Sequence, residues 1–314
     1  AGLLSSCSGS DYLNAIPKKS TAIISVDLAQ MASGRSDDDK AGMLKSLLHV
    51  DDVDKCGIDV TEKMYLFESA DGNLGLCAKV SDEGDVEDWL SALVKKRIAS
   101  DMTERKGFHF AVLKSSWLVG FSDKALLVMG PVVADAQAQL QQQMVRYLKA
   151  DEDEGITASP MFDRLEDISS PMAMVAQAQA LPEKFIAPFT LGAPKDTDPS
   201  QVVIAADMEV KEGILQIHGE TFSFNKSIDE AIQKAIETYR PIKGNYVKSM
   251  PDDALAGIFM NVNGEQFLPM MQNNRSLQTL LMGINQAVDM DNIIRSVDGD
   301  MAIVMPSLTD ADMK

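Results

Sequence analysis

Three apolar stretches, 108–113, 117–121 and 125–129, are separated only by Lys114-Ser115-Ser116 and Ser122-Asp123-Lys124. A parallel pairing needs a crossover of roughly a dozen residues or more, so connections this short force the three to lie side by side as antiparallel strands. The same constraint acts twice more. Met64-Tyr65-Leu66-Phe67 is joined to the run 74–76 through Asp71-Gly72, a pair suited to a hairpin turn, and the runs 202–210 and 214–224 flank Lys211-Glu212-Gly213. Upstream, Ile16-Pro17 leads through a polar turn into a β-branched run ending at Val26-Asp27-Leu28, which reads as a buried strand.

Between these groups the apolar period changes from two to three or four. Met43, Leu44, Leu47 and Leu48 form a stripe after Asp37-Asp38-Asp39, and Val86, Trp89, Leu90, Leu93 and Val94 form another in a helix expected from about Asp85. That helix closes on Lys95-Lys96-Arg97, cations placed at the negative end of the helix dipole. Pro131 suits the first turn of a further helix with Val133, Leu140, Met144 and Leu148 on one face, ended by the acidic run 151–154. Ser227-Ile228-Asp229-Glu230 reads as a capping box opening a helix over 228–239, with the stripe Ile228, Ile232, Ile236 and Tyr239.

Hairpins and meanders with interspersed amphipathic helices predict an α+β fold of mostly antiparallel sheets and disfavour a doubly wound one. Met250-Pro251 through Val262-Asn263 echoes Ile16-Pro17 through Val26-Asp27, so the pattern allows two repeated units. The expected organisation is a signal-peptide remnant over 1–6, a tether over 7–15, an α+β unit over 16–240, and the start of a second, related unit over 241–314, with its truncation left open.

The net charge of −18 repels phosphate backbones, and the densest basic run is only Lys95-Lys96-Arg97, so no nucleic-acid partner is expected. No run of about 18 apolar residues is present to span a bilayer as a helix. Aromatic residues are only 6% while Met numbers 19, which points to cores filled by flexible side chains.

Leu4-Ser5-Ser6-Cys7 resembles the lipobox of bacterial lipoproteins, in which an apolar residue and two small ones precede an obligatory Cys. The chemistry fits, since a thiol is a nucleophile able to accept a diacylglycerol, and small residues enter a narrow peptidase cleft. Cys7 is thus the expected lipidation site, with Ser8-Gly9-Ser10-Asp11 as a flexible tether. The lone acid Asp11 leaves open whether the protein faces the periplasm or the cell surface. Cys56 and Cys77 would share a compartment that permits disulfides, so either a bridge between them or two buried thiols fits.

Cys7 with its preceding residues, the strand entry at 16–28, Cys56-Gly57-Ile58-Asp59-Val60 leading to Met64-Tyr65-Leu66-Phe67, and Asn261-Val262-Asn263-Gly264 together resemble the Bacteroides-type envelope lipoproteins grouped as the domain of unknown function 4836. The resemblance covers most of the chain. It implies a location and a fold, with no assigned activity and no functional residues to carry over. On the residues themselves, Gly57 and Gly264 read as turn glycines with positive φ, and Asp59 as a carboxylate bonding nearby amides.

The search for chemistry is short. His49, His109 and His218 sit in strand or helix patterns and read as structural, and no nucleophile elbow, zinc helix, Cys-x-x-Cys pair or phosphate loop occurs. No catalytic residue, cofactor or metal is assigned. The acidic runs at 37–39, 51–54 and 151–154 supply hard oxygen ligands suited to calcium, yet none has EF-hand spacing, and solvated loops are the preferred reading. The expectation is a non-enzymatic cell-envelope lipoprotein, attached to the outer membrane through Cys7, that binds a protein or glycan partner or scaffolds an assembly. The alternative is a periplasmic hydrolase with a carboxylate pair that sequence alone leaves unrecognised.

Overall fold

Strand β1 (Ala22–Val26) is the run read from Ile23-Ile24, and it pairs antiparallel on both sides. The protein is described here from a computed structural model covering residues 9–32, 39, 42, 45, 46, 50, 52–181, 186, 189–212, 214–252, 254 and 256–305. Cys7, His49, the stripe Met43-Leu44-Leu47-Leu48 and the acids Asp37, Asp38 and Asp51 lie outside those residues. The chain forms two compact units, 1–180 with 204–220, and 181–203 with 221–314.

In the first unit, Val26 of β1 faces Met64 of β2 (Met64–Glu68) and Met172 of β8 (Met172–Gln177). Strand β3 (Leu74–Lys79) returns on β2 around Gly72, whose φ of +77° suits the turn. Beyond β3 come β7 (Ala125–Gly130), β6 (Trp117–Phe121), β5 (Phe108–Leu113) and β4 (Thr103–Arg105), each antiparallel to its neighbour. On the far side, β9 (Val203–Lys211) and β10 (Ile214–Phe222) complete a ten-stranded sheet of order β10-β9-β8-β1-β2-β3-β7-β6-β5-β4.

Eight α-helices occur among the described residues. Asp27 caps the short α1 (Leu28–Met31), and Asp82 caps α2 (Glu83–Lys95), its carboxylate accepting from the Asp85 amide. Val86, Leu90 and Leu93 of α2 are buried together with Cys56, Ile58, Val119, Phe121 and Leu126. Helix α3 (Gln137–Leu148) starts later than its Pro suggests. Pro131 follows a cis peptide at the end of β7, and the Val132 amide donates to Ser116 O at 2.8 Å, which ties 131–132 to the sheet instead of the helix. Val133 is consequently exposed, and the buried stripe begins at Leu140. Ser159 caps α4 (Pro160–Glu166), which buries Met161, Phe162 and Leu165.

Cys56 and Cys77 are both free and buried, and burial pushes both thiols up. Cys77 Sγ lies 3.4 Å from Tyr12 O, in the 3-10 turn Asp11–Ala15 whose Tyr12, Leu13 and Ala15 pack into the core.

In the second unit, α5 (Lys226–Ile236) is capped by Asn225 and not by Ser227. Asn225 Oδ1 accepts from the Ser227 and Ile228 amides at 3.1 and 3.4 Å and from the Ser227 hydroxyl at 3.2 Å, so the helix begins before the expected box. Strands β11 (Tyr239–Arg240), β12 (Ala256–Asn263) and β13 (Asp298–Met305) form an antiparallel sheet with β12 in the middle. Between β12 and β13 run α6 (Gly264–Asn273), α7 (Arg275–Asn285) and α8 (Met290–Arg295). Val262, Phe267, Leu268, Met271, Leu281 and Ile294 form the core of this unit. Leu191 packs on that core and Asn274 Nδ2 donates to Thr190 Oγ1 at 3.0 Å, so the unit draws on residues well before 241.

The two stretches that echo each other in sequence share local hydrogen bonds. Pro17 O accepts from Ser20 N at 3.0 Å and Pro251 O from Ala254 N at 3.1 Å, each turn leading into a strand. Asp27 then accepts from the Gln30 amide at 2.8 Å and Asn263 from the Gln266 amide at 3.2 Å, each opening a helix. In both units the chain next returns antiparallel to the strand that follows the Pro turn, β2 on β1 and β13 on β12.

Two glycines separate conformation from crowding. Gly57 has φ of +71°, as its turn requires, and a Cβ there would lie 2.3 Å from Asp82 O. Gly264 lacks the positive φ expected of it; it is needed because a Cβ would lie 1.8 Å from Ile294 O. Gly57→Ala and Gly264→Ala are each expected to cost about 3 kcal/mol or more in urea unfolding. Gly72→Ala, with φ of +77° but open space around it, should cost about 1 kcal/mol.

Asp300 on β13 gives a test by pH. Its carboxylate accepts from the Lys243 and Asn245 amides and from Asn261 Nδ2 at 2.9, 3.1 and 2.8 Å, and these bonds, led by that from Lys243, hold its pKa below the ordinary 3.8. A lowered folded-state pKa adds stability above the ordinary value and loses it as pH falls through the lowered one. Asp300→Asn should therefore melt below wild type at pH 7, with the gap closing in acid below the ordinary value.

Candidate functional site

Helix α3 turns Leu140 and Met144 into the core, which leaves Gln143, Arg146 and Tyr147 along the flank beside the β2–β3 turn. That turn is closed by hydrogen bonds: Gly72 N donates to Ser69 O and Ser69 N to Asn73 O, both at 2.9 Å, and the Asn73 amide donates to Ser69 Oγ at 3.3 Å. It presents Asp71 to the helix. Gln143, only 8% exposed, donates from Nε2 to Asp71 Oδ2 and to the Tyr147 hydroxyl, the latter at 2.9 Å. Burial raises the Tyr147 phenol, opposed by its bonds to Gln143 and Ser69, so it remains a neutral donor and acceptor.

Two cavities meet at Asp71, Gln143 and Arg146. One, of about 430 Å³, is further lined by Asn73, Gln139 and Leu140. The other, of about 620 Å³, adds Lys18, Lys19, Tyr147, Asp153 and Glu154. Planar amides, a carboxylate and a guanidinium around a concave trench offer several directed hydrogen bonds, and Gln143 holds two of the groups, Asp71 and Tyr147, in place.

A third cavity, of about 530 Å³, brings Glu62 and Glu166 to one place. Neither is free. Glu62 Oε1 lies 3.2 Å from Lys79 Nζ and Glu166 Oε1 lies 3.5 Å from Lys63 Nζ. Lys79 also meets Asp59 at 3.2 Å, and Asp59 accepts from the Thr61 amide and hydroxyl at 3.1 and 2.6 Å, as its place in the turn suggested. Burial alone would raise Asp59, but these bonds outweigh it and hold the carboxyl below its ordinary range.

The sequence-picked residues are dispersed. His109 on β5 sets its ring edge against Phe121 at 5.8 Å, and His218 on β10 lies 3.3 Å from Asp207, exposed on the sheet. Asp52 and Asp151 turn their carboxylates to amides two residues on, Asp54 and Asp153, as ordinary turn acids do. Among the described residues no three His, Cys, Asp or Glu side chains are grouped to hold a metal ion, and no helix is long and apolar enough to cross a membrane. Asp71, Gln143 and Arg146 were not singled out from sequence. Their one local signal is a glutamine directly beside the buried Met144 of an amphipathic helix.

Comparison with known proteins adds a family and a slight likeness of shape. No curated protein matches the chain. Among solved structures, crystal form I of TP0453 matches with 13% identity, covering 72% of this chain and 84% of that one at a TM-score of 0.40. Crystal forms III and IV match with 13% identity at TM-scores of 0.38, covering 72% and 68% of this chain and 84% and 81% of theirs. Likeness this slight bears on neither ligand nor role. The model of a domain of unknown function, DUF4836, matches residues 28–312, and the chain therefore belongs to that family.

Proposed function

We propose that this is a cell-envelope lipoprotein, attached to the outer membrane through lipid on Cys7, that binds a glycan without transforming it. The observation that carries the binding role is the trench joined at Asp71, Gln143 and Arg146, with its buried amide tying carboxylate and phenol in place. Sugars are recognised by amides, carboxylates and guanidinium groups that each meet two neighbouring hydroxyls, and pre-set side chains lose little entropy on binding. A concave site of a few hundred Å³ suits a short saccharide better than the broad face of a protein. Outside the trench, Glu62 and Glu166 of the third cavity are each engaged by a lysine, which supports a non-catalytic reading of that cavity. A glycosidase needs two carboxyls free to act across one bond, and these two are each held in an ion pair. The support for anchorage is the Leu4-Ser5-Ser6-Cys7 pattern.

Calorimetric titration with a panel of oligosaccharides tests the trench. Binding in the micromolar to millimolar range is expected, weakened about tenfold or more by Arg146→Ala with stability within about 0.5 kcal/mol of wild type. Gln143→Leu should weaken binding and also cost about 1–3 kcal/mol, because Asp71 and Tyr147 lose their shared partner. Absence of binding to every saccharide would sink the glycan reading. For the anchor, Cys7→Ala should abolish acyl labelling and move the protein to the soluble fraction, whereas continued labelling overturns it.

A further inference from the structure

The two edges of the ten-stranded sheet are finished differently. At one end β4 has only Thr103, Glu104 and Arg105, two of them charged, and Arg105 Nη1 is tied to Ala138 O of α3 at 2.9 Å. A short, charged edge resists pairing with another chain. At the other end β10 has nine residues, and among the described residues no strand lies on its outer side. Ile214, Leu215 and Ile217 on β10, and Val210 near the end of β9, are each more than half exposed. Glu220 is the one carboxylate on the strand. A long, apolar edge of this kind is a template for a further strand.

The residues of β10 say which strand fits. When β10 is laid antiparallel against a second copy of itself with all nine residues paired, Ile214 meets Phe222, Leu215 meets Thr221, Gln216 meets Glu220 and Ile217 meets Gly219. His218 then meets its own copy on the two-fold axis. Apolar residues face each other at both ends, and each Glu220 carboxylate is met by an amide donor, so no two carboxylates are opposed. Asp207 lies 3.3 Å from the His218 ring, so a proton taken up there is met by a carboxylate of its own chain. Pairing β10 with β4 of another copy would rest on three residues and would extend head to tail, whereas a β10 pair is isologous and closes as a dimer.

We propose that β10 is a dimer interface, through which two copies of this chain join edge to edge and continue one ten-stranded sheet into the other. The contact combines ladder hydrogen bonds with the burial of Ile214, Leu215 and Ile217. Each copy carries a net charge of −18, so backbone and apolar contact holds the pair against a long-range repulsion, and added salt strengthens it.

The test is sedimentation velocity on the whole chain carrying Cys7→Ala, from about 1 to about 100 µM. The mass should double across that range, and at lower concentration when salt is added. Ile217→Lys changes an exposed side chain; it should melt with wild type and raise the concentration at the midpoint about tenfold or more. His218→Cys reads the register, because thiols facing each other on the axis should form an interchain disulfide on mild oxidation. Gln216→Cys, placed opposite Glu220, should not, and Cys56 and Cys77 are buried away from any partner. A wild-type chain that stays monomeric at about 100 µM overturns the dimer and leaves the edge to a strand of a different protein. A dimer unchanged by Ile217→Lys, or one that His218→Cys fails to cross-link, overturns it as well, since its contact then lies elsewhere.

Discussion

The pairing of β1 on both edges is the contact on which the first unit depends. β1 holds five residues, yet it joins β2, which leads into the hairpin and meander, to β8, which leads towards β9 and β10. Pairing β1 with β8 closes a loop of some 150 residues, a non-local contact that costs chain entropy before it returns any burial. The complete burial of Ile23, with Val175 beside it in register, is what offsets that cost. Every other feature of the unit, the trench and the third cavity included, is hung on elements that this strand aligns.

The stretch from Pro251 in the second unit runs through the same local order of elements as the stretch from Pro17. A Pro turn, a strand, an Asx cap and a helical excursion return the chain antiparallel to its start. The cap explains why Val-Asp and Val-Asn sit where they do. An extended residue with a short acceptor side chain ends the strand and opens the helix in one step, a task that Asp27 and Asn263 each perform.

The hairpins were legible because their information is local: β5, β6 and β7 are written as apolar runs with three-residue turns between them. β8 was not, because Met-Ala-Met-Val-Ala-Gln contains one β-branched residue and would suit a helix; its strand state comes from lying against β1. The helices α6 to α8 were also missed, α6 carrying Pro269 in its interior, where the ring normally argues against a helix. Helix α5 was found but its start was misplaced, since Ser227 and Asn225 are both good caps and only the geometry of the chain before them chooses. The trench could not be read from sequence: Asp71 was legible only as half of a turn and Gln143 only as a polar residue beside Met144, and nothing local says that positions 72 apart meet. The third cavity hid for the same reason, as its walls come from four separate segments.

The docked 3-10 turn at Asp11–Ala15 has a mechanical consequence. Through Tyr12 and Leu13 it is packed against β2 and β3, in the middle of the ten-stranded order, with Cys77 and Lys63 meeting Tyr12 directly. A pull on the chain ahead of Gly9 would therefore reach the sheet first at interior strands, through Tyr12, and not at either edge strand.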